Sequence, residues 1–231
     1  MNIGNFTQNG DGYTGHLRSV GLTLAEVTIS PVTAKQGNGP DFAVLGKYAL
    51  RHDAFELRTV ANDDNAQWLK PAFAQMHRLL KAAAFCVSFY GWNKADLFID
   101  AWRNAGSRIV GHVVFRKRYP SSTRFLRYQH EQAYVLAKGD VQPPAKPIPD
   151  VIEFPYTGNK LHPTQKPTAA LRPLIEAFCP SPGIVLDPFA GSGSSLVAAR
   201  QLGRQFIGIE LDEQHHRTAT TRLHEVQTLA A

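Results

Sequence analysis

The stretch "IVLDPFAGSGSSLVAARQLGRQFIGIEL", residues 184–211, decides the fold. Its first four residues are an apolar run ending in an acid, Asp187, and read as a buried strand. Gly191 and Gly193 follow, and glycines at a strand's C-terminal end let the backbone turn tightly and approach a ligand closely. "SSLVAARQLG" then reads as a helix and "QFIGIEL" as a second strand, with Glu210 near its end. Strand, glycine loop, helix and strand make a βαβ unit, which predicts a parallel or mostly parallel sheet covered by helices on both faces.

Glu210 is placed to accept hydrogen bonds from two ribose hydroxyls, as an acid does in dinucleotide-binding folds. Three features depart from the dinucleotide pattern. Leu196 stands at the third glycine position, Asp187 precedes the loop, and Phe189 sits within it. Asp187 would repel a pyrophosphate, yet it could orient water or attract a cation such as a sulfonium amino acid. The absence of a Gly-Lys-Ser/Thr run excludes a P-loop. S-adenosylmethionine has a ribose, an adenine and an aminocarboxylate but no phosphate, and it suits these departures.

Outward from this unit, helical and strand patterns alternate. "AQWLKPAFAQMHRLLK" sets Trp68, Phe73, Met76, Leu79 and Leu80 at helical spacing, with Pro71 expected in the first turn. "AAAFCVSFYGW" is fit for a buried strand, and "NKADLFIDAWRNAG" for a helix opened by Asn93 as N-cap and closed by Gly106. "RIVGHVVFRKR" and "EQAYVLAKG" read as two more strands, followed by a connector, "DVQPPAKPIPDVIEFP", too rich in proline for regular structure. "TAALRPLIEAFC" is a helix ahead of residue 184, and a last helix begins at Asp212. Residues 1 to 50 differ: "NIGNFT", "YTGHLRSV", "LTLAEVTIS" and "PDFAVL" are short, alternating and separated by turn signals, and predict short antiparallel strands.

Composition narrows the class. A chain of 231 residues with 43% hydrophobic and 19% charged content is an ordinary globular protein. No apolar run approaches the roughly 18–20 residues of a membrane span, and the N-terminus has no signal-peptide core. Cys86 and Cys179 lack CxxC spacing, which suits the reduced cytoplasm and leaves no cysteine metal site. The net charge of +6 is concentrated: Arg103 to Lys138 holds eight Lys/Arg against one acid, Glu131, which reads either as a solvated face or, as the clustering favours, as a nucleic-acid surface.

Just upstream of the loop lies "GNKLHPTQKP", residues 158–167. "HPTQKP" followed by "DPFAGSGS" resembles the S-adenosylmethionine-dependent DNA amino-methyltransferases, which modify N6 of adenine or N4 of cytosine. The motif order resembles their circularly permuted β group, and "FCVSFYGWNKADLFIDAW", "RYQHEQAYVLAKG" and "YTGNKLHPTQKP" are similar to phage and plasmid members. The resemblance covers about residues 58–225. It implies a Rossmann-like methyltransferase sheet, S-adenosylmethionine as cofactor, double-stranded DNA as partner, and no metal. It also implies a methyltransferase domain over 58–231, with target recognition at about 115–160 and the cofactor half at 161–231. Asp187, Phe189, Ala190, Gly191, Ser192 and Gly193 would line the cofactor, and Glu210 would bind its ribose. His162, Thr164, Gln165 and Lys166 would meet its methionine end, with Lys166 a partner for the carboxylate. Read without the resemblance, His162–Pro167 is a cap ahead of the helix at Thr168. His215 and His216 are expected on a solvated helix face, without a role.

On the target side, "FRKRYPSSTRFLRYQHEQAY", residues 115–134, interleaves basic and aromatic residues. Arg116, Lys117, Arg118, Arg124 and Arg127 can grip phosphates or guanine edges, and Tyr119, like the other aromatics, can stack on bases. Alternatively, the aromatics are core and the arginines decorate an exposed hairpin.

The family's catalytic tetrapeptide, Asp/Asn/Ser-Pro-Pro-aromatic, is missing. "SPVT" at Ser30–Thr33 lacks the second proline and the aromatic, "FPYT" has no polar residue in front, and "QPPA" at Gln142–Ala145 lacks the aromatic. Cytosine C5 chemistry, which needs a nucleophilic cysteine, is no substitute, since Cys86 sits in an apolar strand and Cys179 precedes Pro180. The tetrapeptide belongs before Arg58. There, residues 1–48 resemble instead a small plasmid-associated β-rich family of unknown function. The expectation is a fusion, joined between Tyr48 and Arg58, in which a β segment of residues 1–50 replaces the methyltransferase's first strand and catalytic loop. Two readings follow: a DNA methyltransferase with impaired turnover, or an inactive relic that binds cofactor and DNA.

Overall fold

The computed structural model describes residues 6–9, 12–15, 28–29, 42–45, 65–162, 164–210 and 212–229. The expected join between Tyr48 and Arg58 and the "SPVT" run lie outside them. Three short strands, β1 (Phe6–Asn9), β2 (Gly12–Gly15) and β3 (Thr28–Ile29), form the expected antiparallel sheet, in that order. A second sheet has seven strands: β4 (Phe42–Leu45), β5 (Phe85–Phe89), β6 (Arg108–Arg116), β7 (His130–Ala137), β8 (Val151–Glu153), β9 (Ile184–Asp187) and β10 (Gln205–Gly208). Their order is β10-β9-β4-β5-β7-β6-β8. Only β7 runs against the rest, since it pairs antiparallel with both β5 and β6.

The placement of β4 departs from the expectation of an antiparallel strand. It pairs parallel with β5 over four residues and with β9 over two. Its sequence, "FAVL", is apolar at every position, which is the pattern of a strand covered on both faces rather than one. Among the described strands, β4 alone joins β10–β9 to β5–β7–β6–β8. On these strands the division between the two sheets falls between Ile29 and Phe42.

Five helices flank the large sheet: α1 (Asn65–Leu79), α2 (Ala95–Asn104), α3 (Thr168–Phe178), α4 (Ser194–Gln201) and α5 (Glu213–Leu229). Strand alternation divides the core. Val87, Val135 and Val185 face Leu171, Leu174, Leu196 and Leu223 of α3, α4 and α5. Their sequence neighbours Cys86, Leu136 and Leu186 face Leu69, Phe73, Phe98 and Trp102 of α1 and α2. Trp102 is fully buried, with edge contacts to Phe73 and Tyr90.

Several local expectations shift. Pro71 lies within α1, not in its first turn, because the helix begins at Asn65. Asn93 is not an N-cap: residues Trp92–Lys94 form a 3₁₀ turn, and Lys94 precedes α2 without a side-chain cap. Gly106 does close α2, at φ +85°, where a residue without Cβ is favoured. The proline-rich connector holds β8, whose three residues contain no proline and need a partner on one side only.

Because β4, β5, β6, β8, β9 and β10 point the same way, their C-terminal ends share one edge of the sheet. Asp187, Gly208, Phe89, Arg116 and Glu153 all arrive there. The glycine loop, the β6–β7 hairpin and the segment running from β8 to residue 167 therefore emerge on one side.

Candidate active site

β9 delivers Asp187, which is buried. One carboxylate oxygen accepts from the Phe189 N–H at 3.0 Å, and the other accepts a short hydrogen bond from the Ser195 hydroxyl. Burial pushes this carboxyl from its ordinary value near 3.8 up to about 6, opposed by those hydrogen bonds and by the Lys166 charge, and reinforced by Glu210.

The loop after Asp187 is held from several sides. Gly191 and Gly193 adopt φ +53° and +75°. The Gly191 N–H donates to Glu210 at 2.7 Å, and the Asp212 N–H donates to the other Glu210 oxygen at 2.9 Å, so the acid bridges the loop and the residue just before α5. His162 is buried against the loop, and a Cβ on Gly191 would come within 3.3 Å of its ring. The His162 Nδ1 accepts from the Thr164 N–H at 3.1 Å. Gln165 donates its N–H to the His162 carbonyl at 3.1 Å, and its side-chain oxygen accepts from the Leu161 N–H at 3.4 Å. Lys166 lies 5.0 Å from the centre of the Phe89 ring. The "HPTQKP" segment is thus no side-chain cap: α3 starts after Pro167 with no capping hydrogen bond.

A sequence model of the DNA methylase family matches residues 146–221. YubD of Escherichia coli (strain K12), assigned by name to the methylases, is 52% identical over 192 residues, which are 83% of this chain and 85% of YubD. The chain belongs to the S-adenosylmethionine-dependent DNA amino-methyltransferases. The methyltransferase shares its fold with the crystal structure of the M1.HpyAVI–SAM complex (TM-score 0.66, 24% identity, covering 80% of this chain and 89% of that one). It also shares it with the cytosine-N4-specific PvuII DNA methyltransferase (TM-score 0.64, 12% identity, covering 85% and 86%).

Helix α5 supplies residues that sequence reading missed. The His215 ring packs 4.3 Å from that of His162, so His215 faces the loop and not only solvent. Arg222 donates to the Ser192 carbonyl at 2.5 Å and to the hydroxyls of Ser192 and Ser194 at 3.2 and 3.1 Å. His215, Ala219 and Arg222 are spaced four and three apart, and this stripe on one helix face was the available signal. In the methyltransferase, Arg222→Met is expected to weaken S-adenosylmethionine binding on the order of tenfold, read by calorimetric titration, because charge-assisted hydrogen bonds contribute about 1.5–3 kcal/mol.

On the target side the basic residues separate into two sets. Lys117 is buried and forms a short ion pair with Glu131, while its ammonium also donates to the Ser121 hydroxyl at 2.6 Å. Strand parity explains this: Val113, Phe115 and Lys117 share a face, opposite Ala133 and Glu131. Arg116 and Arg118 both pair with Glu153 of β8, and the Tyr119 ring packs edge-on against Tyr156. Arg124 and Arg127 stay exposed at the hairpin tip. Both cysteines are buried, and burial pushes the Cys86 thiol well above its ordinary range. Among the described residues, no helix is long and apolar enough to cross a membrane.

Asp187 gives the methyltransferase a pH signature. Between its ordinary value near 3.8 and about 6 the folded chain holds a proton that the unfolded chain releases, so this group's stabilising contribution falls as pH rises through that window. Asp187→Asn removes the titration. Urea melts are expected to show the parent losing on the order of 3 kcal/mol relative to D187N from the bottom to the top of that window.

Proposed function

We propose that the chain binds S-adenosylmethionine at the 187–210 loop and double-stranded DNA beside it, and is impaired in methyl transfer to adenine N6 or cytosine N4. The observation that carries the impairment concerns β4. It stands between β9 and β5, and on this proposal it is the strand that the family's catalytic loop follows. The next four residues are Gly46, Lys47, Tyr48 and Ala49, without an Asp/Asn/Ser-Pro-Pro run.

The residues present suit the cofactor. S-adenosylmethionine carries a sulfonium, an ammonium and a carboxylate, a net single positive charge. Asp187 and Glu210 with Lys166 give a complementary net negative cradle. A cation beside Asp187 favours its ionised form, so affinity is expected to be highest above about pH 6 and to decline below it. Glu210 would bind the ribose hydroxyls, Lys166 the carboxylate, and Phe189 would line the cofactor. Ala190, Ser192, Gly193, His162, Thr164 and Gln165 shape the remaining wall.

When bound, S-adenosylmethionine supplies an electrophilic methyl group. An exocyclic amine is a poor nucleophile because its lone pair is delocalised into the base. The family's tetrapeptide accepts the amine's hydrogens and stacks an aromatic on the flipped base, raising electron density at nitrogen as the bond forms. Without those acceptors this chain positions the donor but does little for the acceptor. The setting is a cytoplasmic one in which DNA is within reach.

Incubation with tritiated S-adenosylmethionine and unmethylated DNA, alongside calorimetric titration of the cofactor, tests the reading. Cofactor binding with slow incorporation is expected. Binding of both ligands with no incorporation makes the chain an inactive relic of its family. Incorporation at the rate of an intact relative would overturn the impairment, and absence of both binding and transfer would overturn the whole reading.

A further inference from the structure

The tip of the β6–β7 hairpin carries apolar surface that no core explains. Phe125 is 98% exposed and Leu126 is 68% exposed. Arg124 and Arg127 flank them, and among the described residues neither pairs with a carboxylate.

The tip is nevertheless rigidly built. At its base sits the buried Lys117–Glu131 pair, tied to Ser121. The Ser121 N–H donates to the Tyr128 carbonyl at 2.8 Å, and the Tyr128 N–H donates to the Ser122 carbonyl at 3.1 Å. The Arg124 N–H donates to the Leu126 carbonyl at 3.1 Å, closing the turn around Phe125. On its flank the Tyr128 ring stacks on Trp92, with centroids 6.1 Å apart and planes 12° from parallel. An aromatic held out into solvent on a fixed turn has already lost the freedom that binding would otherwise remove. The hairpin also leaves the C-terminal end of β6, the sheet edge at which β9 delivers Asp187.

We propose that Phe125, with Leu126 beside it, is a wedge that inserts between adjacent base pairs of duplex DNA while Arg124 and Arg127 hold the flanking phosphates. The inference rests on the reading of this chain as a protein of duplex DNA. Charge complementarity selects the occupant, since an apolar tip between two free cations matches a stack of bases between two phosphate strands. Opening a base step on the same edge of the sheet as the cofactor loop also lowers the work of turning a target base out of the helix.

Two readouts test this. The first is binding of a fluorescein-labelled mixed-sequence duplex across a salt series. The second is unwinding of closed-circular plasmid, relaxed by topoisomerase with the protein bound and then deproteinised. The parent is expected to leave the plasmid underwound. Phe125→Ser is expected to abolish unwinding and weaken duplex binding about tenfold, with the salt slope unchanged, while Phe125→Trp retains both. Arg124→Ser with Arg127→Ser should lower the salt slope by about 1.8, the loss of two phosphate contacts. Phe125 is exposed, so thermal melts of F125S should match the parent. Unwinding by F125S equal to the parent's would overturn the wedge while leaving DNA binding intact. A change in sedimentation of F125S without a change on DNA would overturn it in favour of a contact between chains. If the parent binds no duplex at any salt, the DNA reading fails and the wedge fails with it.

Discussion

The combined substitution Gly46→Asp, Lys47→Pro, Tyr48→Pro and Ala49→Tyr is expected to raise methyl transfer to DNA by about 10²–10³-fold, the effect of supplying well-placed acceptors in a water-poor site. Cofactor affinity should stay as it is in the parent, because none of the four residues belongs to the 187–210 loop. The expectation follows from the sheet. A strand between β9 and β5 already points its C-terminal end towards the edge where Asp187 lies, so a loop placed after Leu45 starts from the right place. Tritium incorporation measured beside calorimetric titration separates the two effects. Intact binding with no gain in rate would mean that β4 does not stand in for the family's first strand.

Gly193→Ala carries the second large effect, this time a loss. At φ +75° an alanine costs about 1–2 kcal/mol, since its Cβ crowds its own backbone. The new Cβ would also lie 2.7 Å from the Ala219 Cβ and 3.2 Å from its Cα, so α5 has to move as a body. Forced repacking of that kind adds about 1–3 kcal/mol. A total on the order of 3 kcal/mol lowers Tm by about 6–12 °C at this chain length. Because Ala219 lies between His215 and Arg222 on α5, the shift also misplaces both supports of the loop. S-adenosylmethionine binding is expected to weaken about 10–100-fold, since losing charge-assisted hydrogen bonds such as those of Arg222 costs about 1.5–3 kcal/mol. Gly203→Ala is the control. Gly203 has φ +69° with nothing within 4 Å of a new Cβ, so it meets the backbone penalty alone and should leave cofactor binding unchanged. Equal losses in the two variants, read by thermal melts and titration, would remove the role assigned to Ala219.

The strand-loop-helix-strand around residue 187 was legible because its signals are local. Asp187 and the two glycines sit on elements that match the sequence reading to within three residues, and Glu210 lies two residues past the last strand rather than at its end. What escaped depended on partners distant in sequence. "FAVL" has no feature of its own that says parallel or antiparallel; β5 and β9 decide it. Lys117 looked like a surface cation within a basic run, yet the alternation of Val113 and Phe115 already placed it on the buried face opposite Glu131. Asn93 had the chemistry of a cap, but the 3₁₀ turn at Trp92–Lys94 moves the start of α2 past it. His215 and Arg222 belong to a helix that reads as polar all round. Their role appears only when the glycine loop lies beneath them.

β4 closes the sheet through its backbone. Ladder hydrogen bonds are made by backbone groups that every residue except proline carries in full, so a strand contributed by unrelated sequence can complete a sheet on backbone pairing alone. The methyltransferase sheet asks of this segment four apolar residues, extended, in the gap between β5 and β9. The sheet is therefore continuous across the β9–β4–β5 junction whatever side chains follow β4. Closing the sheet and performing chemistry at its edge are separate demands on one strand and the loop after it.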